Sequence, residues 1–242
     1  MMVRRVLAQT RSELTLSVRQ GEQLLLVLGI PVLLLVFFSV VDVLPAPTDD
    51  PIDFIAPGIL SLALMSTAMT SLAINLGFDR QYKVLKRLGV TPLGRAGLVI
   101  AKTLAVVVIE LIQALVLVGV ALTLGWSPSI EPVALVGAVV LGSVAFAGLG
   151  LLIAGRLPGL VVLAAANALY VFLLLIGDMV IPLDEFPSAF ASFARLLPPA
   201  ALTEIITGAF DRSAEISAQA WGVLAGWAVV VPPLATRLFR WE

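Results

Sequence analysis

Glu110 and Gln113 carry the most chemical potential, because both lie inside the otherwise apolar run from Leu98 to Trp126. A carboxyl at hydrocarbon depth costs about 3 kcal/mol on insertion scales, so Glu110 has to face protein or water. It is placed to contact a cationic substrate or to relay protons. Alternatively it pairs with a buried amide such as Asn167, or remains uncharged. Thr67, Thr70, Ser71 and Asn75 recur at three- and four-residue spacing and form one polar stripe on a helix. That stripe either lines a substrate pathway or makes hydrogen bonds between helices, worth about 0.6 kcal/mol each in a membrane.

A third set is basic and lies between apolar runs: Asp79-Arg80-Gln81-Tyr82-Lys83-Val84-Leu85-Lys86-Arg87-Leu88-Gly89-Val90-Thr91-Pro92-Leu93-Gly94-Arg95. Val84, Leu85 and Leu88 make an apolar ridge on a basic helical turn, which Gly89 and Thr91-Pro92 terminate. Charge alone would make this a membrane-side anchor. The ridge predicts a docking surface facing the cytosol.

The absent residue types remove whole chemistries. There is no Cys and no His, so thiolate metal sites, Cys–His pairs, Ser–His–Asp triads and H-E-x-x-H sites are impossible. No G-x-x-x-x-G-K-[ST] loop is present to cradle a nucleotide phosphate. A net charge of −1 gives no electrostatic case for nucleic-acid binding.

The elements that position these residues are membrane helices. Of the 242 residues 60% are hydrophobic and 13% charged, far from the balance of about 45–50% and 25% in soluble domains. Runs long enough to cross a bilayer lie at 24–41 (with Pro31 inside), 54–78, 98–126, 132–154, 157–182 and 216–236, which predicts six spans. The first run lies behind a polar leader with no A-x-A site after it, so it reads as a span and not as a cleaved signal. With the N-terminus inside, Arg4, Arg5, Arg11, Arg19, Arg80, Lys83, Lys86, Arg87, Arg95, Lys102, Arg156, Arg237 and Arg240 are cytoplasmic, and only Arg195 and Arg212 lie outside. Asp42, Asp49, Asp50, Asp53, Glu131, Asp184, Glu185, Glu204, Asp211 and Glu215 fall on the outer face. The positive-inside rule therefore puts both termini in the cytoplasm.

Residues 3–20 set Val3, Leu7, Leu14 and Val18 on one face of a basic segment, predicting an amphipathic helix in the inner interface. Residues 183–215 hold Phe186, Phe190, Phe193, Leu196, Leu197, Leu202, Ile205, Ile206 and Phe210 around Pro198-Pro199. Two short helices dipping into the outer leaflet and broken at the prolines account for them, with protein or a wet cavity covering the irregular backbone. Ala138 with Gly142, and Gly222 with Gly226, make small-xxx-small faces for close packing.

The ordered set of basic leader helix, six spans, a cytoplasmic helix ending Val90-Thr91-Pro92-Leu93 before Arg95, and an apolar outer hairpin with Leu196-Leu197-Pro198-Pro199 running to Glu204 resembles the type 2 ABC transporter permeases, the membrane subunits of ABC-2 exporters. The run before that helix, Asp79 to Lys83, departs from the acidic and glycine-containing pattern common in the family. The resemblance covers essentially the whole chain as one all-α integral-membrane domain. It implies that 80–95 is a coupling helix whose Tyr82, Leu85, Lys86, Arg87, Leu88, Thr91, Pro92 and Arg95 meet a separate ABC ATPase subunit. ATP and Mg would then belong to that partner, with no cofactor on this chain. A second permease copy or homologue would complete the transporter, with the path at the permease dimer interface in the plasma membrane. The cargo expected is a lipophilic drug, antibiotic or lipid, with a lipid-linked polysaccharide as the alternative. A proton-coupled secondary transporter using Glu110 would need an internal repeat and midplane helix breaks, and a non-transport anchor would use 80–95 alone.

Overall fold

The computed structural model describes residues 2–41, 50–155, 157–212 and 214–238, apart from the side chains of residues 23 and 95. Asp42, Asp49, Arg156 and Arg240 lie outside them, as does the side chain of Arg95. The described residues are mostly helical and contain no strand. Five helical runs are long and apolar enough to cross a membrane: Pro51–Gln81, Ala96–Thr123, Pro132–Ala154, Gly159–Ile176 and Ala218–Leu238. The remaining predicted span, α2 (Gly21–Val40), is bent by 69° from α1 (Met2–Arg19), so leader and span form one angled unit.

The second span is not one regular helix. It runs as α3 (Pro51–Met65), a π-helical segment Ser66–Ser71, and α4 (Leu72–Gln81). Wide turns of this kind open the backbone and recur at functional sites. The segment coincides with the predicted polar stripe, whose strict helical spacing it alters. The third span, α6 (Gly94–Thr123), starts earlier than expected, because Gly94 at φ 72° turns the chain directly out of the basic loop. The fourth and fifth are α7 (Pro132–Ala154) and α8 (Gly159–Ile176), the latter ending before Asp178 and not at 182.

The apolar stretch 183–215 folds as expected into two short helices, α9 (Ser188–Ala194) and α10 (Pro198–Phe210), bent by 83°. Pro198 and Pro199 occupy the first turn of α10, where a missing N–H costs nothing. Nearly every side chain of α10 is buried, against α3, α7 and α11 (Ala218–Leu238). Thr203 donates to the Gly177 carbonyl oxygen (3.0 Å), Glu204 accepts from the Ser217 N–H (2.9 Å), and Trp227 donates to the Leu196 carbonyl oxygen (3.1 Å). Protein therefore covers α10, whereas Phe190 and Phe193 on α9 and Leu196 in the turn after it stay exposed.

The small-residue expectations divide. Gly142 lets α7 close on Leu64 and Leu202. Gly222 and Gly226 meet nothing within 4 Å, leaving that face of α11 open.

Candidate functional sites

The basic loop differs from a single helix over 80–95. It contains one six-residue helix, α5 (Val84–Gly89), entered through Lys83 at φ 61° and followed by turns to Gly94. The expected apolar ridge is also rearranged. Leu85 is 0% exposed and belongs to the core, Leu88 is half-buried against it, and only Val84 remains exposed. A six-residue turn cannot stand alone in water, so it buries its central leucine as an anchor and cannot offer that residue to a partner. What it presents instead is Tyr82, stacked on Phe78 at 6.2 Å, with Arg87, Thr91, Pro92 and the 87% exposed Val90. Lys86 is exposed too.

This loop is fastened to the leader helix. Arg5 donates to the Pro92 carbonyl oxygen (3.0 Å), and Thr10 reaches the Ala101 carbonyl oxygen on α6 (3.3 Å). Lys102 on α6 donates to Glu13 on α1 (3.0 Å) and to Asp79 at the end of α4 (2.9 Å). One buried ammonium thereby joins the leader helix, the second span and the third. Of the expected apolar face of α1, Val3, Leu7 and Val18 stay exposed and suit a lipid surface, Leu14 is half-buried, and Val6 and Thr10 pack on protein. Sequence periodicity did not single out Glu13 or Asp79. Their signal was a lysine placed one turn inside a span, which requires a counter-charge.

Thr67, Ser71 and Asn75 line a small cavity of about 60 Å³ with Glu13, Ser17 and Lys102. Thr67 donates to Gln113 Oε1 (3.0 Å), and Gln113 Nε2 donates to the Val27 carbonyl oxygen on α2 (2.6 Å). Three spans are thus tied by one amide. Thr70 does not line that cavity, and its buried hydroxyl has no partner among the described residues.

Glu110 is 3% exposed and pairs with neither Gln113 nor Asn167. Asn167 is exposed and donates to its own helix at Leu163. The Ser143 hydroxyl on α7 shares its hydrogen between Glu110 Oε2 and the Val139 carbonyl oxygen. Glu110 Oε1 is buried and has no hydrogen-bond partner among the described residues. Glu110 borders an apolar cavity of about 470 Å³ lined by α3, α6, α7 and α10.

At the opposite end of the bundle, Asp178 sits at φ 59° and accepts the Leu183 N–H (2.8 Å). Burial pushes its carboxyl above the ordinary value, opposed by that hydrogen bond and reinforced by the nearby Asp184.

An all-helical membrane bundle with a leader helix and a basic loop after its second span is the frame the sequence pattern pointed to, and comparison with protein families decides its membership. The model of the ABC-2 type transporter matches residues 4–210. The chain belongs to this family. As an ABC-2 membrane domain it is a multi-pass permease component of an ABC transporter, and the family implies an ABC ATPase as partner. A search of curated proteins gave no match.

Proposed function

We propose that this ABC-2 permease exports a lipophilic molecule, a drug, antibiotic or lipid, across the plasma membrane as one half of a permease dimer. Both termini face the cytoplasm, and a separate ATPase subunit supplies the energy through residues 82–93. The observation that carries the reading is the construction of that loop: an exposed tip on a buried Leu85 anchor, cross-braced to α1 by Arg5 and seated beside the Lys102 junction. A push on the tip passes through packed side chains to α1, α4 and α6 together, as rigid-body motion requires. No such bracing is needed by an anchor that merely recruits a protein.

The test is reconstitution of the chain with an ABC ATPase in inside-out vesicles, following ATP-dependent uptake of a fluorescent lipophilic dye. Arg87→Glu at the exposed tip should abolish stimulated uptake while the chain still inserts and folds. Uptake that survives this change and needs only a proton gradient would overturn the reading.

A further inference from the structure

The cavity around Glu110 has a composition that names its occupant. Its wall is almost wholly apolar, formed by side chains such as Leu64, Ala114, Leu117, Val139 and Phe210, and its volume of about 470 Å³ lies within the span of about 300–1,000 Å³ typical of small-molecule sites. Exposed Leu115 and Val136 flank its mouth. Glu110 stands near the middle of α6, so the mouth opens at hydrocarbon depth. Two polar side chains, Glu110 and Gln113, stand in this lining, and Gln113 is already bonded to Thr67 and Val27. Ser143 holds Glu110 Oε2 and thereby orients the carboxyl, while Oε1 is left buried and unpartnered among the described residues. An unsatisfied carboxyl oxygen in an apolar site is costly, and a donor carrying positive charge relieves that cost best.

We infer that this cavity, inside a single permease chain, is a binding site for a lipophilic amine. The hydrocarbon part fills the space between α3, α6, α7 and α10, and the ammonium donates to Glu110 Oε1. A neutral lipid of the same length gains the apolar contacts but not the charge-assisted bond. The site deepens the exporter reading by naming a cargo class, and rests on it only in treating the bound amine as cargo.

The experiment uses the full chain in phosphatidylcholine nanodiscs with two photoreactive probes, a diazirine-bearing dodecylamine and the matching dodecanol. Irradiation of the wild type should place amine adducts on α6 and α7 around the cavity, with yield at limiting probe at least about tenfold above the alcohol. Glu110→Gln should remove that preference and leave alcohol labelling unchanged. Ala114→Trp, which fills the cavity and leaves the carboxyl in place, should lower both. Should Glu110→Gln fail to fold, the amine-to-alcohol ratio in the wild type and the Ala114→Trp result decide alone. Equal labelling by the two probes, or amine adducts scattered over the lipid-facing helices, overturns the site. If the amine does not label while the reconstituted complex still exports other lipophilic dyes, the site falls and the exporter reading stands. If the amine labels the cavity but no complex transports anything, the site stands and the exporter reading falls.

Discussion

Replacing Lys102 by Met should loosen the junction between leader helix and loop by an amount that can be worked from its surroundings. The Lys102 side chain is 4% exposed, and its partners Glu13 and Asp79 are 17% and 30% exposed. Removing one member of a fully buried ion pair costs about 3–5 kcal/mol, because the remaining charge is stranded. Here two carboxylates are stranded beside each other, but both keep some access to water, so the expected loss is about 2–3 kcal/mol. At about 2–4 °C per kcal/mol for a chain of this size, the unfolding midpoint in nanodiscs should fall by about 5–10 °C. Methionine retains the apolar stem, which isolates the charge. The triple variant Lys102→Met, Glu13→Gln, Asp79→Asn removes all three charges and should recover most of the loss. Uptake per ATP hydrolysed should fall in the single variant, since α1, α4 and α6 no longer move together. A midpoint within 2 °C of wild type (about the effect of 1 kcal/mol or less), or a triple variant no better than the single, would refute the reasoning.

Other outcomes follow from individual contacts. A Cβ on Gly150 would stand 2.6 Å from the Met69 carbonyl oxygen in the π-helical segment, so Gly150→Ala should cost about 1–3 kcal/mol, and an unchanged unfolding midpoint would contradict this close approach. Because the folded-state pKa of Asp178 is raised, the native state holds its proton more tightly than the unfolded chain does. That contribution is full below the unfolded pKa of about 3.9 and is lost as pH rises through the folded value. Asp178→Asn keeps an acceptor for Leu183 and should flatten this dependence, with stability at pH 7 equal or higher; midpoints measured from pH 4 to 8 check it. Gly226 faces open space beside exposed Val229 and Val230, so Gly226→Leu should leave the isolated chain stable yet weaken the proposed pairing of two permease copies, as read by cross-linking in membranes.

Much of this architecture was legible in the residue pattern, because a bilayer makes span length a strong signal. The hairpin of α9 and α10 was legible for the same reason: Phe186 through Phe210 is too apolar to be solvated, and Pro198-Pro199 could only begin a helix. Leu85 was misread because the loop's own spacing could not reveal the neighbours that bury it. Asn167, one of the alternatives for Glu110, does not pair with it, since pairing between spans depends on helix rotation, which nearly uniform hydrophobicity leaves undetermined. Ser143 was the nearer polar group and looked like an ordinary span serine. The polar stripe was identified, but the π-helical segment at Ser66–Ser71 separates Thr70 from the cavity that Thr67, Ser71 and Asn75 share.

The central claim is that the loop between the second and third spans is where a separate ATPase drives this permease. The chain has no cysteine of its own, so a single introduced one reports position without background. Val90→Cys at the exposed tip of the loop, treated with a short thiol-to-amine cross-linker in native membranes holding the whole complex, should yield one adduct of chain plus ATPase. Leu115→Cys, exposed on the third span, should yield none with the ATPase. An ATPase adduct formed from Leu115→Cys but not from Val90→Cys would contradict the account.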